Sequence, residues 1–205
     1  MLRISLVLPV LLGAVGMFAG CGDDGENGTA VPTATSPATV TVSVTPAPVT
    51  DPCGSHQSLE GQPLVAGVAF ALDADQMWQL CNGGAAAGSS EKWLFHSADG
   101  GANWTLISRT TLGDPPKEPG VGDLPNGNGV VGMLFVDPNV GFLGMNSPGA
   151  NLWRSSDGGV SWIASDALPP AEAVQSMSLA GSEPTVVTSS GTLVTTDNGE
   201  HWSNP

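Results

Sequence analysis

The stretch Ser97-Ala98-Asp99-Gly100-Gly101-Ala102-Asn103-Trp104 decides the fold, because the same pattern recurs twice more in the 205-residue chain. The second copy reads SSDGGVSW at residues 155–162, and the third reads TTDNGEHW at residues 195–202. All copies fit Ser/Thr-x-Asp-x-Gly-x-x-Trp, and several copies of such a pattern indicate an internal structural repeat. The fixed positions are Ser97, Asp99, Gly101 and Trp104, then Ser155, Asp157, Gly159 and Trp162, then Thr195, Asp197, Gly199 and Trp202.

Each fixed residue suits a tight turn between two antiparallel strands. The Ser or Thr ends a strand, and the Asp carboxylate accepts hydrogen bonds from the amides of the turn. The Gly permits the positive φ that the reversal requires, and the Trp begins the return strand with its ring folded over the turn. We therefore predict that Asp99, Asp157 and Asp197 hold turns and perform no chemistry.

The pattern is that of the Asp box, or BNR repeat, and resembles the boxes of bacterial sialidases. The longer pattern, in which an aromatic strand precedes a box, is similar to the repeats of the photosystem II assembly and stability factors. It is also similar to the much larger sortilin ectodomain. The resemblance covers about residues 65–204 and implies β-propeller blades, each with one box. In such families the propeller is a docking surface, so the resemblance also implies a protein or peptide partner.

A further hairpin precedes each box, at residues 70–80, 135–143 and 178–187. Each unit therefore reads as strand, turn, strand, loop, strand, box and strand, which is one four-stranded antiparallel blade. The predicted fold class is all-β, a partial β-propeller of about three such blades with Asp-box turns.

The sequence does not decide how so short a propeller closes, because closed propellers have four to eight blades. Unpaired strand edges also invite self-association. The alternatives are an open arc, a fourth sheet donated by residues 53–66, a symmetric dimer and a truncated product. We favour an arc in which the N-terminal segment of the domain pairs with the last blade.

The spacing between the first two boxes is longer than that between the last two, and the difference lies in the Pro/Gly-rich insertion Arg109–Gly129. Long loops without a strand pattern are often functional. We expect this insertion to be a contact surface, and the alternative is a disordered loop.

The N-terminal 20 residues have the features of a secretory signal, with Arg3 before an apolar run that ends near Phe18. Phe18-Ala19-Gly20-Cys21 resembles the bacterial lipobox, with Phe18 where that motif prefers Leu. The resemblance implies lipidation of Cys21 and anchoring to the extracytoplasmic face of the bacterial cell membrane. The alternative is a plain signal peptide.

Residues 21–52 are rich in Thr and Pro and contain no aromatic residue, which predicts a disordered linker. The domain organisation is thus a lipoprotein signal at 1–20, the linker at 21–52 and a propeller-like domain at 53–205. If Cys21 carries lipid, Cys53 and Cys81 can form a disulfide in an oxidising compartment. Two separate buried thiols are the alternative.

The charge and the residue types exclude several functions. The chain has 5 Lys and Arg against 19 Asp and Glu, and a net charge of −14 excludes nucleic acid as a partner. The sialidase reaction uses a Tyr nucleophile and three Arg around the substrate carboxylate, but this chain has no Tyr, and Arg109 and Arg154 are its only Arg beyond the signal. We therefore expect no enzyme, no cofactor and no metal site. Paired acids such as Asp73 and Asp75 have no positional support.

The leading hypothesis is an exported, membrane-anchored lipoprotein that acts as a non-catalytic protein- or peptide-binding module, or as an envelope-assembly module. The alternative is a glycan-binding or degenerate sialidase-like or glycoside-hydrolase-like domain. A glycan site requires exposed aromatic side chains, whereas the six Trp mostly belong to boxes and strands.

Overall fold

The computed structural model describes residues 49–86, 89–110, 118–127, 129–147, 149–168 and 172–205. These residues form strands and turns, and none of them forms a helix long and apolar enough to cross a membrane. The predicted signal at 1–20, the lipidation site Cys21 and nearly all of the predicted linker lie outside the described residues.

The described strands form three sheets in chain order. The first sheet contains β1 (Val65–Ala71), β2 (Met77–Ala86), β3 (Ser89–Ser97), β4 (Thr105–Arg109) and β5 (Gly122–Asp123). The second contains β6 (Val130–Phe135), β7 (Gly141–Met145), β8 (Leu152–Ser155) and β9 (Ile163–Ala164). The third contains β10 (Val174–Ala180), β11 (Glu183–Thr188) and β12 (Thr192–Val194).

Each sheet is a meander in which neighbouring strands in the sequence pair antiparallel, apart from the parallel pair of β4 and β5. The upstream hairpins form where the repeats predict them, with Ala71 opposite Met77 and Phe135 opposite Gly141. Successive meanders packed face to face are the architecture of propeller blades. The predicted fold class, an all-β partial propeller of three blades, is therefore confirmed.

The third blade is shorter than the other two. Its fourth strand is reduced to one bridge between Val194 and Ser203, whose backbone groups exchange hydrogen bonds of 2.9 and 3.0 Å. This agrees with the sequence, in which three residues follow Trp202.

Two apolar junctions hold the blades together. We call the face of each sheet that points to the next sheet its back face, and the opposite one its front face. The back face of the first sheet buries Trp78 and Leu94 against Phe135 of the second sheet. The second sheet buries Leu152 against Val174 and Val186 of the third sheet.

Residues 49–64 cover the front face of the first sheet, so the expectation that the N-terminal segment pairs with the last blade is wrong. Cys53 and Cys81 form a disulfide, as predicted, with their Cα atoms 5.5 Å apart. Cys53, Leu64 and Phe95 are buried in one cluster on this face. The physical reason is proximity, because the segment runs directly into β1 and the disulfide holds it against β2 of the same sheet.

The back face of the third sheet carries small and polar side chains. Trp78 and Phe142 occupy equivalent positions in the first and second sheets. Each directly follows the residue that pairs with the first Ser of its motif, Met77 with Ser97 and Gly141 with Ser155. At the corresponding place in β11 stands Thr185. Its neighbours on that face are Ser176, Ser178, Val187, Thr192 and Val194.

Residues 118–127 of the insertion are folded onto the first sheet. Its strand β5 pairs with Ser108 and Arg109 of β4, and Leu124 is buried in the first junction. The disordered-loop alternative is therefore wrong for these residues. Lys117 lies outside the described part of the chain.

Candidate functional site

The three repeats, which we call the motif turns, share one hydrogen-bond network. In the first, Ser97 Oγ donates to Asp99 Oδ1 at 2.8 Å and accepts from Gly101 N at 2.8 Å. Asp99 Oδ1 also accepts from Asn103 N at 2.8 Å. The same contacts recur in the second turn for Ser155, Asp157, Gly159 and Ser161, and in the third turn for Thr195, Asp197, Gly199 and His201.

The residue before each motif Trp binds the second carboxylate oxygen. Asn103 Nδ2, Ser161 Oγ and His201 Nδ1 lie 2.6, 2.5 and 2.7 Å from Oδ2 of their Asp residues. The sequence pattern treats this position as variable, and the shared signal is that all three side chains form hydrogen bonds.

These contacts keep the motif carboxylates ionised. Hydrogen bonds from the side chain and backbone of Asn103, and from Ser97, lower the pKa of Asp99 to about 2. Hydrogen bonds from the backbone and side chain of His201 lower the pKa of Asp197 further. Carboxylates held in this way act as acceptors within the turn, as the sequence predicts.

The third motif turn differs from the first two in its Trp. Trp104 Nε1 donates to Gly101 O at 3.1 Å, and Trp162 Nε1 donates to Gly159 O at 3.0 Å. Trp202 Nε1 is buried and has no hydrogen-bond partner among the described residues. The Trp202 ring packs edge-on against Phe142, with centroids 5.5 Å apart, as the Trp162 ring packs against Phe135.

A cavity of about 400 Å³ lies between the outer strand of the second sheet and the third motif turn. We call it the β9 groove, after the strand that forms one wall. Its walls include Arg154, Ile163, Ser165, Asp166, Glu200 and Trp202. Ile163 is the most exposed large apolar side chain of the described residues, at 73%. An exposed apolar residue beside a concavity is a feature of binding sites.

Several polar side chains of the groove already form hydrogen bonds within the protein. Arg154, which lines the groove, donates from Nε to Asn198 O at 2.6 Å. Ser161 and His201 each bind the Asp of their own motif turn. The groove therefore offers charges and an apolar contact, but no nucleophile paired with a base.

Asp73, one of the paired acids considered in the sequence analysis, also holds a turn. Asp73 Oδ1 accepts from Asp75 N at 2.8 Å and from Gln76 N at 2.7 Å. These bonds, with that from Gln76 the stronger, lower the pKa of Asp73. Across the described part of the chain, no group of three or more His, Cys, Asp and Glu is placed to hold a metal ion.

Two adjacent charged residues of β3, Glu91 and Lys92, are buried, which was not predicted from the sequence. Lys92 is fully buried, and its Nζ donates to Ser90 O at 2.9 Å and to Gly127 O at 2.6 Å. Burial lowers the pKa of Lys92 to about 8. Glu91 accepts from Leu59 N at 3.1 Å and from Trp93 Nε1 at 2.7 Å. The signal was available, because an adjacent acid and base stand in the strand directly before its apolar run Trp93-Leu94-Phe95.

Comparisons with known proteins give structural similarity alone. No family model matches the chain, and no curated protein matches it. A solved chain described as "YCF48 bound to D1 peptide" has a TM-score of 0.42 and 19% identity, over 69% of this chain and 40% of that chain. The GH74 xyloglucanase from Xanthomonas campestris has a TM-score of 0.47 and 16% identity, over 67% of this chain and 23% of that chain. Both are propeller folds, and this chain spans less than half the length of either.

Proposed function

We propose that this protein is a non-catalytic module that binds protein or peptide, and that the β9 groove is its contact site. The observation that carries the proposal is the open groove of about 400 Å³ beside the exposed Ile163. Peptide recognition commonly combines a sheet edge, which supplies main-chain hydrogen bonds, with a pocket for side chains. The β9 groove has both.

The chemistry of the groove supports binding over catalysis. The hydroxyl of Ser161 and the imidazole of His201 hold motif carboxylates, so neither activates the other. The three motif carboxylates accept hydrogen bonds within their turns and are kept ionised, whereas a general acid needs a raised pKa.

The proposed setting is the extracytoplasmic face of the bacterial cell membrane, with lipid on Cys21 and residues 21–52 as the tether. The disulfide between Cys53 and Cys81 supports this setting, because structural disulfides persist in oxidising compartments. A tethered binding module there would serve envelope assembly.

Peptide display against the purified protein tests the proposal. Peptides selected from a random library should bind the natural chain and lose about tenfold or more in affinity to Ile163→Asp, because a carboxylate replaces the apolar contact. Val65→Asp is the matched control, since Val65 is 66% exposed on the first sheet, away from the groove. Equal binding to both variants would place the site elsewhere, and a failure to select any peptide would count against the function.

Glycan binding is the second candidate, and one observation favours it, namely that Trp202 lines the groove. Its ring packs edge-on against Phe142, which uses apolar surface that a sugar platform needs. A glycan array separates the two functions, because binding that depends on Trp202 and is absent for peptides would favour the glycan.

A further inference from the structure

We propose that the β9 groove takes up an extended segment of a partner protein as an added parallel strand. The segment carries glycine where it passes the third motif turn, and a basic side chain beside that glycine. This inference rests on the proposed function and specifies the binding mode and the chemistry of the ligand.

The first blade contains the precedent for such a strand. There β5 pairs parallel with the outer edge of β4, with Ser108 opposite Gly122, and Leu124 N donates to Arg109 O at 3.1 Å. The β5 strand also lies against the second motif turn, because a Cβ atom on Gly122 would be 1.7 Å from Val160 O. The chain thus fills the groove between its first blade and the second motif turn with a strand of its own.

The β9 groove is the equivalent place one blade further along. β9 corresponds to β4, since Thr105 and Ile163 each follow a motif Trp and pair with the preceding strand, opposite His96 and Arg154. Glu200 follows the last Gly of its motif turn, as Val160 does in the second turn. The third motif turn therefore borders the β9 groove in the way that the second turn borders β5.

No described segment of the chain occupies this equivalent place. After Ala164 the chain turns at Asp166 and Ala167 instead of continuing along the edge. Ala167 and Leu168 pack against the core of the second junction, and Ala167 also lines the groove.

The outer edge of β9 has main-chain groups directed into the groove. Ser165 N donates to Leu152 O at 2.8 Å, toward the interior of the sheet. Because backbone groups alternate sides along a strand, the N–H and C=O of Ala164 point away from β8, to the open edge. Such an edge is a template for another strand.

The walls of the groove select the chemistry of the added segment. A Cβ atom on Gly122 would be 1.7 Å from Val160 O, so a segment that followed the same path past the turn at Glu200 is expected to need glycine there as well. The lining of the groove carries two carboxylates, Asp166 and Glu200, against the one guanidinium of Arg154. With a net charge of −14 on the whole chain, the groove favours a basic side chain beside the glycine.

A fluorescent peptide copied from the β5 region tests the inference on the full chain in detergent. The probe is PGVGDLPN, residues 119–126, with the substitution Asp123→Lys, and its partner carries Gly122→Val as well. We expect saturable binding of the glycine probe by fluorescence anisotropy, and binding at least about tenfold weaker for the valine probe, because the added side chain meets the motif turn. Equal binding of the two probes, or no binding of the glycine probe, would overturn the inference.

Protein variants locate the bound probe. Ala164→Pro removes the outward N–H and should abolish binding, with an unchanged melting temperature to show that the fold persists. Glu200→Arg should weaken the Lys-containing probe about fivefold or more and strengthen the unsubstituted Asp123 peptide, as the charge reverses. Glu183→Arg, the same charge change at the exposed first residue of β11, should alter neither. A probe that binds regardless of Ala164 and Glu200 would overturn strand addition at this edge.

The two proposals fail in different ways. If display-selected peptides depend on Ile163 but tolerate Ala164→Pro, the groove binds peptide by side chains and strand addition alone is overturned. If neither selected peptides nor the glycine probe bind, the peptide-binding function is overturned as well.

Discussion

Trp78 of the first blade stacks on Phe135 of the second, with ring centroids 3.9 Å apart and ring planes 9° from parallel. Trp78 is fully buried, and its Nε1 donates to Gly158 O at 3.0 Å, a carbonyl of the second motif turn. One side chain thus joins β2 both to the front face of the next sheet and to its turn. The packing of consecutive blades depends on this contact.

Trp78→Ala should lower the free energy of unfolding by about 3–5 kcal/mol, because it leaves a cavity in the first junction. Trp78→Phe retains much of the apolar contact but leaves the Gly158 carbonyl without its donor, so a smaller loss of about 1–3 kcal/mol is expected. Urea unfolding followed by circular dichroism measures both. A loss for Trp78→Ala below that for Trp78→Phe would contradict the role of the stacked ring.

The local parts of this fold could be predicted from the sequence, because the repeats encode them within a few residues. The roles of Asp99, Asp157 and Asp197 depend on a hydroxyl two positions before each Asp and an amide four positions after it, and the structure has those contacts. Antiparallel hairpins are equally local, so the three meanders followed from the spacing of turns.

The parts that could not be predicted depend on contacts between distant positions. β5 has two residues, Gly122 and Asp123, and pairs parallel with β4. A strand this short has no alternation of polar and apolar residues by which it could be predicted. The position of residues 49–64 depends on which apolar sheet face they bury, and no local sequence pattern indicates that face. The β9 groove could not be predicted for the same reason. It lies beside a blade that lacks a described fifth strand, and the fifth strand of the first blade was itself not predictable.

Gly199→Ala should destabilise the protein more than Gly181→Ala does. Both residues have positive φ, +81° and +68°, so both substitutions carry similar backbone strain. A Cβ atom on Gly199 would lie 2.2 Å from Phe142 Cε1, whereas Gly181 has no heavy atom within 4 Å of that position. The difference should be about 1–3 kcal/mol in urea unfolding, the usual cost of overpacking. Equal losses would show that the third motif turn moves freely away from Phe142.

Replacing Cys53 and Cys81 together by Ser should lower the free energy of unfolding by about 3–4 kcal/mol, because the disulfide closes a loop of about 28 residues in the unfolded chain. The front face of the first sheet should become accessible as the segment detaches, which increased binding of an apolar dye would detect. A reducing agent should lower the stability of the natural chain toward that of the double variant, and leave the variant unchanged. A natural chain insensitive to reduction would contradict this.

Cys21→Ser should move the protein from the membrane fraction to the soluble extracytoplasmic fraction, because the lipid on Cys21 is the proposed anchor. Cys53→Ser serves as the control, since it also removes a cysteine but leaves the lipidation site intact. Fractionation with immunoblotting measures the distribution, and mass spectrometry of the N-terminal peptide measures the lipid. Membrane retention of Cys21→Ser would show that another part of the chain holds the protein there.

Lys92 should make the stability rise with pH in the alkaline range. Burial lowers its pKa in the folded chain to about 8, whereas the unfolded chain has the ordinary value of 10.5. Below about pH 8 the amine is protonated in both states and the full cost of burying its charge applies. Between the two pKa values the unfolded chain binds more protons, so the free energy of unfolding increases with pH.

The rise should be about 2 kcal/mol between about pH 7.5 and about pH 10, measured by urea unfolding. Lys92→Met should lack the rise, because Met fills the same space without a titrating group. Lys117→Met is the matched control and should keep it, since Lys92 and Lys117 are the only lysines and the chain has no Tyr to titrate in this range. Parallel pH profiles for the natural chain and Lys92→Met would show that the amine of Lys92 reaches solvent at little cost.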